Sequence, residues 1–213
     1  RKRELRERDK ELREQISNLL AEDYGNETAR LLADWDPYDQ NTSSSFFDKE
    51  WMFDIKDGFD IVIGNPPYIK VQNIQKNQTE YFKKKFLSAK GKYDVYVLFI
   101  ENSITNLINK RGQVVFINPH RFMIAEYGLG LRQYLIKEKA LNTILVFGVN
   151  QVFDEATTYT GIFFFSKDSK NISFCEVENK NLDDIHFNKF LYSEIGEVWS
   201  FKNDNNNIGL LSK

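Results

Sequence analysis

The sequence predicts an α/β fold: a parallel sheet with a charged N-terminal helix ahead of it and a β-hairpin at its end. Short apolar runs rich in β-branched and aromatic residues recur at 59–63, 113–117 and 143–147, and each reads as a strand. Helical periodicity separates them, with Tyr93, Val97, Ile100, Ile104 and Leu107 spaced by four, three, four and three, and a further helix over 127–138. Strand alternating with helix implies parallel neighbours joined by right-handed crossovers. The apolar run 161–165 and the alternating stretch 171–177 follow one another with no helical stretch between, which predicts the hairpin.

In chain order, residues 1–24 are dense in alternating charge around a narrow apolar seam of Leu5, Leu12, Ile16 and Leu19. Its arginines could touch phosphate, but acids balance them, so a solvated helix face with intrahelical ion pairs is favoured. Gly25 ends this helix, and Asn26 is placed to cap a second one running through Ala33. Residues 34–48 read as an irregular loop of polar turn formers punctuated by aromatics. Three segments are expected: a charged helical part at 1–33, an α/β part at 34–178, and a linker at 179–213 leading toward another domain.

The strand at 59–63, bounded by Gly58 and Gly64, reads as covered on both faces. It runs into Asn65-Pro66-Pro67-Tyr68. The two prolines fix successive φ angles and supply no backbone N–H, so the carbonyls of this turn stay outside any ladder. Loops at the carboxyl ends of strands in open α/β sheets bind ligands. Asn65 brings a side-chain acceptor, Pro66 a backbone acceptor and Tyr68 an aromatic face. Such a set can hold a planar amine by its two N–H bonds while stacking on its ring.

From 70 to 92, seven lysines (Lys70, Lys76, Lys83, Lys84, Lys85, Lys90 and Lys92) stand against the single acid Glu80, interleaved with Tyr81, Phe82 and Phe86. This suits a segment approaching a phosphate backbone, with Lys70, Lys83, Lys84 and Lys85 as candidate DNA contacts. It equally suits a solvated amphipathic helix with its aromatics turned inward, and the two readings are compatible. A second polar turn, Asn118-Pro119-His120, closes the strand at 113–117.

Composition excludes several classes. With 41% hydrophobic residues in 213, the chain can bury a substantial core and is not disordered. One cysteine, Cys175, excludes an internal disulfide, and two distant histidines give no metal-ligand cluster. No apolar stretch approaches the roughly 20 residues of a membrane span, so no membrane partner and a cytoplasmic location are expected. A net charge of -2 argues against a generic polyanion binder and assigns any DNA contact to local basic patches. The chain opens on Arg1 with Met52 and Met123 as its only methionines, as expected of a segment cut from a longer protein.

Asn-Pro-Pro-Tyr after an apolar strand resembles the catalytic motif of S-adenosylmethionine-dependent amino-methyltransferases, most often those that methylate the exocyclic amine of adenine in DNA. The run Trp35-Asp36-Pro37-Tyr38-Asp39-Gln40-Asn41, followed by Phe46-Phe47-Asp48 and Glu50-Trp51-Met52-Phe53, resembles the approach to that motif in type IIG fused restriction-modification enzymes. Downstream, Tyr93-Asp94-Val95-Tyr96, Gly112 to Pro119 and Val152-Phe153-Asp154 are similar in order to motifs of the γ-class adenine methyltransferases, so the resemblance spans about residues 34–168. It implies that the α/β part at 34–178 is the catalytic half of a Rossmann-like class I methyltransferase sheet. Asn65, Pro66, Pro67 and Tyr68 would be catalytic, Tyr68 and Phe153 would stack on the target base, and Asn65 would supply part of the cofactor site. The implied partner is double-stranded DNA with a flipped adenine, and cofactor-binding and possible nuclease domains are expected upstream. The glycine-rich turn that would hold S-adenosylmethionine does not precede Asn65, so the segment alone is expected to be inactive. Two alternatives stay open: a protein glutamine methyltransferase, which uses the same turn, and a non-catalytic DNA-binding or scaffolding module.

Overall fold

The structure is a computed structural model that describes residues 2–36, 41, 44, 46–147, 159–177 and 185–201. The chain divides into two compact units, Arg1–Lys56 and Asp57–Lys213.

The first unit is helical. Charge at i and i+3 or i+4 supports α1 (Lys2–Tyr24), where Arg3 meets Glu7 at 3.2 Å, Arg8 meets Glu11 at 3.0 Å and Arg13 meets Asp9 at 2.7 Å. These arginines are therefore engaged along the helix, as a solvated charged face requires. Arg13 also reaches the Ala33 carbonyl, tying α1 to the end of α2 (Asn26–Ala33). Asn26 does not cap α2: Gly25 takes the cap position at φ +79, and Asn26 is the first helical residue. A short helix α3 (Lys49–Phe53), not anticipated, is capped by the Asp48 carboxylate accepting from Trp51 N–H at 2.8 Å.

The second unit is built on a six-stranded mixed sheet. Its strands are β1 (Phe59–Gly64), β2 (Ile108–Pro119), β3 (Leu141–Val146), β4 (Thr160–Ser166), β5 (Asn171–Glu176) and β6 (Asn188–Leu191). Their spatial order is β1-β2-β4-β3-β5-β6. The expected parallel pairing holds for β1 with β2. It does not continue to β3, because β4 lies antiparallel between β2 and β3, and β3 instead pairs parallel with β5, the stretch expected to form a hairpin with β4. The antiparallel ending is present with other partners than the sequence suggested: β5 pairs with β6, not with β4, because β3 lies between them.

Three further helices belong to this unit: α4 (Lys76–Lys85), α5 (Tyr96–Asn102), which runs into a π-helical turn Ser103–Leu107, and α6 (Leu129–Lys137). Alternation along the strands sorts their side chains. Val114, Phe116, Ile144, Phe163, Phe165 and Ile172 join Tyr96, Ile100, Leu131 and Leu135 from α5 and α6 in the main core. The opposite face carries a smaller cluster of Leu145, Phe147, Cys175 and Val177. Trp199 and Phe201 close the main core near the end of the described chain, and Trp199 N–H donates to the Met123 carbonyl at 2.9 Å.

One expectation is corrected at β1. Among the described strands it lies at an edge, and Ile61 and Ile63 are 66% and 74% exposed, so it is not covered on both faces. Only its inward residue Val62 packs against the core. An apolar run reports that a strand can be buried on both faces, not that neighbours are there to cover it.

Candidate functional site

Parallel pairing of β1 with β2 brings Gly64 opposite Phe116, so the polar turns that follow each strand emerge side by side at one end of the sheet. In the first turn Asn65 and Pro67 are exposed and Pro66 is buried. The Asn65 amide hydrogen-bonds to none of the described residues, leaving its acceptor free for a ligand. Tyr68 is half-buried, donates its hydroxyl to the Ile117 carbonyl at 3.0 Å, and meets the Tyr96 ring edge-on at 6.1 Å. Burial pushes its phenol pKa up. The ring is thus locked from behind while its segment stays open to solvent.

Beside Tyr68 lies a cavity of about 810 Å³, within the usual range of small-molecule sites. Four stretches of chain meet there. Tyr68 and Lys70 come from the first turn, and Lys92 and Asp94 precede α5. His120 and Arg121 follow β2, and Tyr159 precedes β4. A short antiparallel bridge places Lys70 opposite Asp94, with Val71 N–H donating to the Tyr93 carbonyl and Val95 N–H to that of Ile69. Burial pushes the Asp94 carboxyl up, against the pull of Lys70. The His120 backbone N–H donates to the Tyr159 carbonyl at 3.1 Å, and its ring stacks on Tyr159 at 6.2 Å with 20° between planes. Burial lowers the His120 pKa, with weaker opposing influences from the Thr160 backbone and Glu176, so the neutral imidazole is favoured.

The segment carrying His120 and Arg121 is anchored from below. The Arg132 guanidinium, itself buried, donates to the carbonyls of Phe122 at 2.5 Å, Ala125 at 2.7 Å and Glu197 at 2.6 Å. Asn118 is wholly buried one residue before Pro119, and neither atom of its amide has a partner among the described residues.

Of the sequence-predicted residues, the structure brings Tyr68 and Lys70 to this cavity, next in sequence to Asn65, Pro66 and Pro67. Lys83, Lys84 and Lys85 do not line it; they sit exposed on α4, where Lys85 hydrogen-bonds the Tyr81 hydroxyl at 3.0 Å and lies over its ring. The inward-aromatic reading holds for Phe82 and Phe86, which pack against the core, while Tyr81 is 55% exposed. Phe153 lies outside the described residues. The sequence reading passed over Lys92, Asp94, Arg121, Tyr127 and Tyr159 as site residues. Asp94 sat inside a recognised motif and His120 inside a recognised turn; Tyr159 carried no signal at all.

Residues 2–153 match the model of the Eco57I restriction-modification methylase family. The chain belongs to that family. It is 34% identical over 150 residues to the type II restriction enzyme and methyltransferase RM.Eco57I of Escherichia coli, covering 68% of this chain and 15% of that protein. It is 34% identical over 128 residues to the type II methyltransferase M.AccI of Acinetobacter calcoaceticus, covering 57% of this chain and 23% of that one. Among solved structures it is similar to the type IIG restriction endonuclease BpuSI, at 18% identity and a TM-score of 0.47 over 63% of this chain and 19% of that chain. The chain therefore spans about a fifth of the length of the relatives it matches.

A methylase family implies an S-adenosylmethionine donor, and the residues of this chain show how much of a site for that cofactor they can form. Before Gly58 the only glycine is Gly25, which stands between two helices, and the outer edge of β1 pairs with no described strand. Among the described residues ahead of Asn65 there is no strand–glycine–helix turn to approach a nucleoside, so they do not form a complete cofactor site. Among all the described residues no His, Cys, Asp or Glu grouping could hold a metal ion, and no helix is long and apolar enough to cross a membrane.

Proposed function

We propose that this chain carries the amine-activating part of a DNA adenine methyltransferase within a restriction-modification enzyme, with S-adenosylmethionine as donor. The observation behind this reading is the Asn65-Pro66-Pro67-Tyr68 turn, with Asn65 exposed and Tyr68 held against Ile117, in a chain of the restriction-modification methylase family. Membership of that family favours it over a protein glutamine methyltransferase or a scaffolding module.

The exocyclic amine of adenine is a weak nucleophile because its lone pair is delocalised into the ring. Asn65 Oδ1 and the Pro66 carbonyl accept its two N–H bonds, which favours a pyramidal nitrogen and directs the lone pair outward. Tyr68 stacks on the base and fixes its plane, its own ring held by the bond to Ile117. S-adenosylmethionine supplies an electrophilic methyl group when bound. Phe153 is the proposed second wall for the base, and Lys70, Lys83, Lys84 and Lys85 the proposed DNA contacts. Upstream domains would complete the cofactor site, so residues 1–213 alone are expected to be inactive.

The test is methyl transfer by the full-length protein from tritiated S-adenosylmethionine to unmethylated bacterial DNA, followed by digestion to nucleosides. Label in N6-methyl-2′-deoxyadenosine is expected. Label confined to methylated cytosine, or none in DNA, would overturn the reading.

A further inference from the structure

We propose that the cavity beside Tyr68 is a nucleotide site whose rim, formed by Lys70, Lys92 and Arg121, holds a DNA phosphate, with the His120–Tyr159 pair as an additional aromatic wall. The inference rests on the DNA-methylase reading above and extends it from the base to its backbone.

Unspent charge is the first argument. Arg3, Arg8 and Arg13 of α1 are paired with acids on the same helix, Lys90 is bonded to Gln133, and Lys167 to the Ile108 carbonyl. Lys70, Lys92 and Arg121 form no ion pair within 4.0 Å among the described residues, yet all three open onto the same cavity. Among the described residues Asp94 is the only carboxylate lining it. Three cations facing one acid in a concave site make a strong local anion preference in a chain whose net charge is -2.

The second argument is the mixture of chemistries. His120 is held neutral by burial and stacked flat on Tyr159, which presents π surface rather than more charge. Flat aromatic surface with cations at the rim matches a nucleotide, whose base stacks while its phosphate meets Lys and Arg. A cavity of about 810 Å³ has room for a sugar and phosphate as well as a base. The third argument is rigidity. Arg121 and His120 sit on a segment pinned by Arg132, and Lys70 on one bridged to Asp94, so the rim is set before a ligand arrives.

Lys92→Ala and Arg121→Ala in the full-length protein test this, using unmethylated bacterial DNA and tritiated S-adenosylmethionine over about 50 to 200 mM NaCl. Each variant is expected to raise KM for DNA by about tenfold with kcat within about twofold, and to make the salt dependence of KM shallower by about one log unit per log unit. Both side chains are exposed, so the melting temperature should not move. Unchanged salt slopes in both variants of an active enzyme would overturn the phosphate site and leave the methylase reading intact. A wild-type enzyme that labels no DNA would overturn both.

Discussion

The Tyr68 hydroxyl donates to the Ile117 carbonyl at 3.0 Å, binding the turn after β1 to the end of β2. Tyr68 is thereby both a structural tie and the face on which a base would stack, and two substitutions separate these roles. Tyr68→Phe keeps the ring and leaves the Ile117 carbonyl short of a donor, for a cost of about 0.5–1.5 kcal/mol in thermal unfolding. Tyr68→Ala also loses the stacking surface, worth about 1–3 kcal/mol per base. The expected pattern is a modest loss of methyl transfer for Tyr68→Phe and a much larger one for Tyr68→Ala. Equal losses would make the hydroxyl, not the ring, the functional part.

Asn65 is exposed and its amide is not engaged by any described residue, so removing it should not disturb the fold. Asn65→Ala in the full-length protein is expected to lower kcat by about 100- to 1000-fold, the usual loss for a preorganised polar group. DNA binding and melting temperature should be unchanged. Retention of more than about a tenth of the wild-type rate would exclude Asn65 from amine activation.

Arg132 is expected to be a strong stability determinant without touching the cavity. Arg132→Met keeps bulk and apolar packing but strips donors from the carbonyls of Phe122, Ala125 and Glu197. Each buried carbonyl left without a donor costs about 1–3 kcal/mol, so chemical denaturation should show a clear drop in stability. Because Phe122 and Ala125 flank the segment of Arg121, KM for DNA should rise as well. An unchanged denaturation midpoint would show that water replaces the guanidinium at no net loss.

His120 gives the protein a predictable acid sensitivity. Burial lowers its folded-state pKa below the ordinary value of about 6.5, so the unfolded chain takes up a proton at a pH where the folded one resists it. Stability should be full above that value and fall as pH drops from it toward the lowered folded value. Melting temperatures between about pH 7.5 and pH 5 should decline less in His120→Gln than in the wild type. Parallel declines would assign the sensitivity to other groups.

Local chemistry determined much of this protein. Periodicity marked β1, the centre of β2, α5 and β3, because the spacing of apolar side chains follows directly from helical or extended backbone geometry. Two prolines, an amide and an aromatic in four residues marked the exposed turn at Asn65 for the same reason: its properties belong to those residues wherever the chain puts them. Neighbour choice was decided elsewhere. That β4 inserts antiparallel between β2 and β3, that β6 and not β4 completes the antiparallel ending, and that β1 stands at an edge with Ile61 and Ile63 exposed all depend on pairing between residues distant in sequence. The cavity depended on it most. Lys70, Lys92, His120, Arg121 and Tyr159 come from four stretches of chain, and although Lys70 stood out as a possible DNA contact, nothing in any one stretch says that the five meet. Only the parallel register of β1 with β2 and the Lys70–Asp94 bridge set them around one space, since convergence is a property of the packed sheet and not of any segment in it.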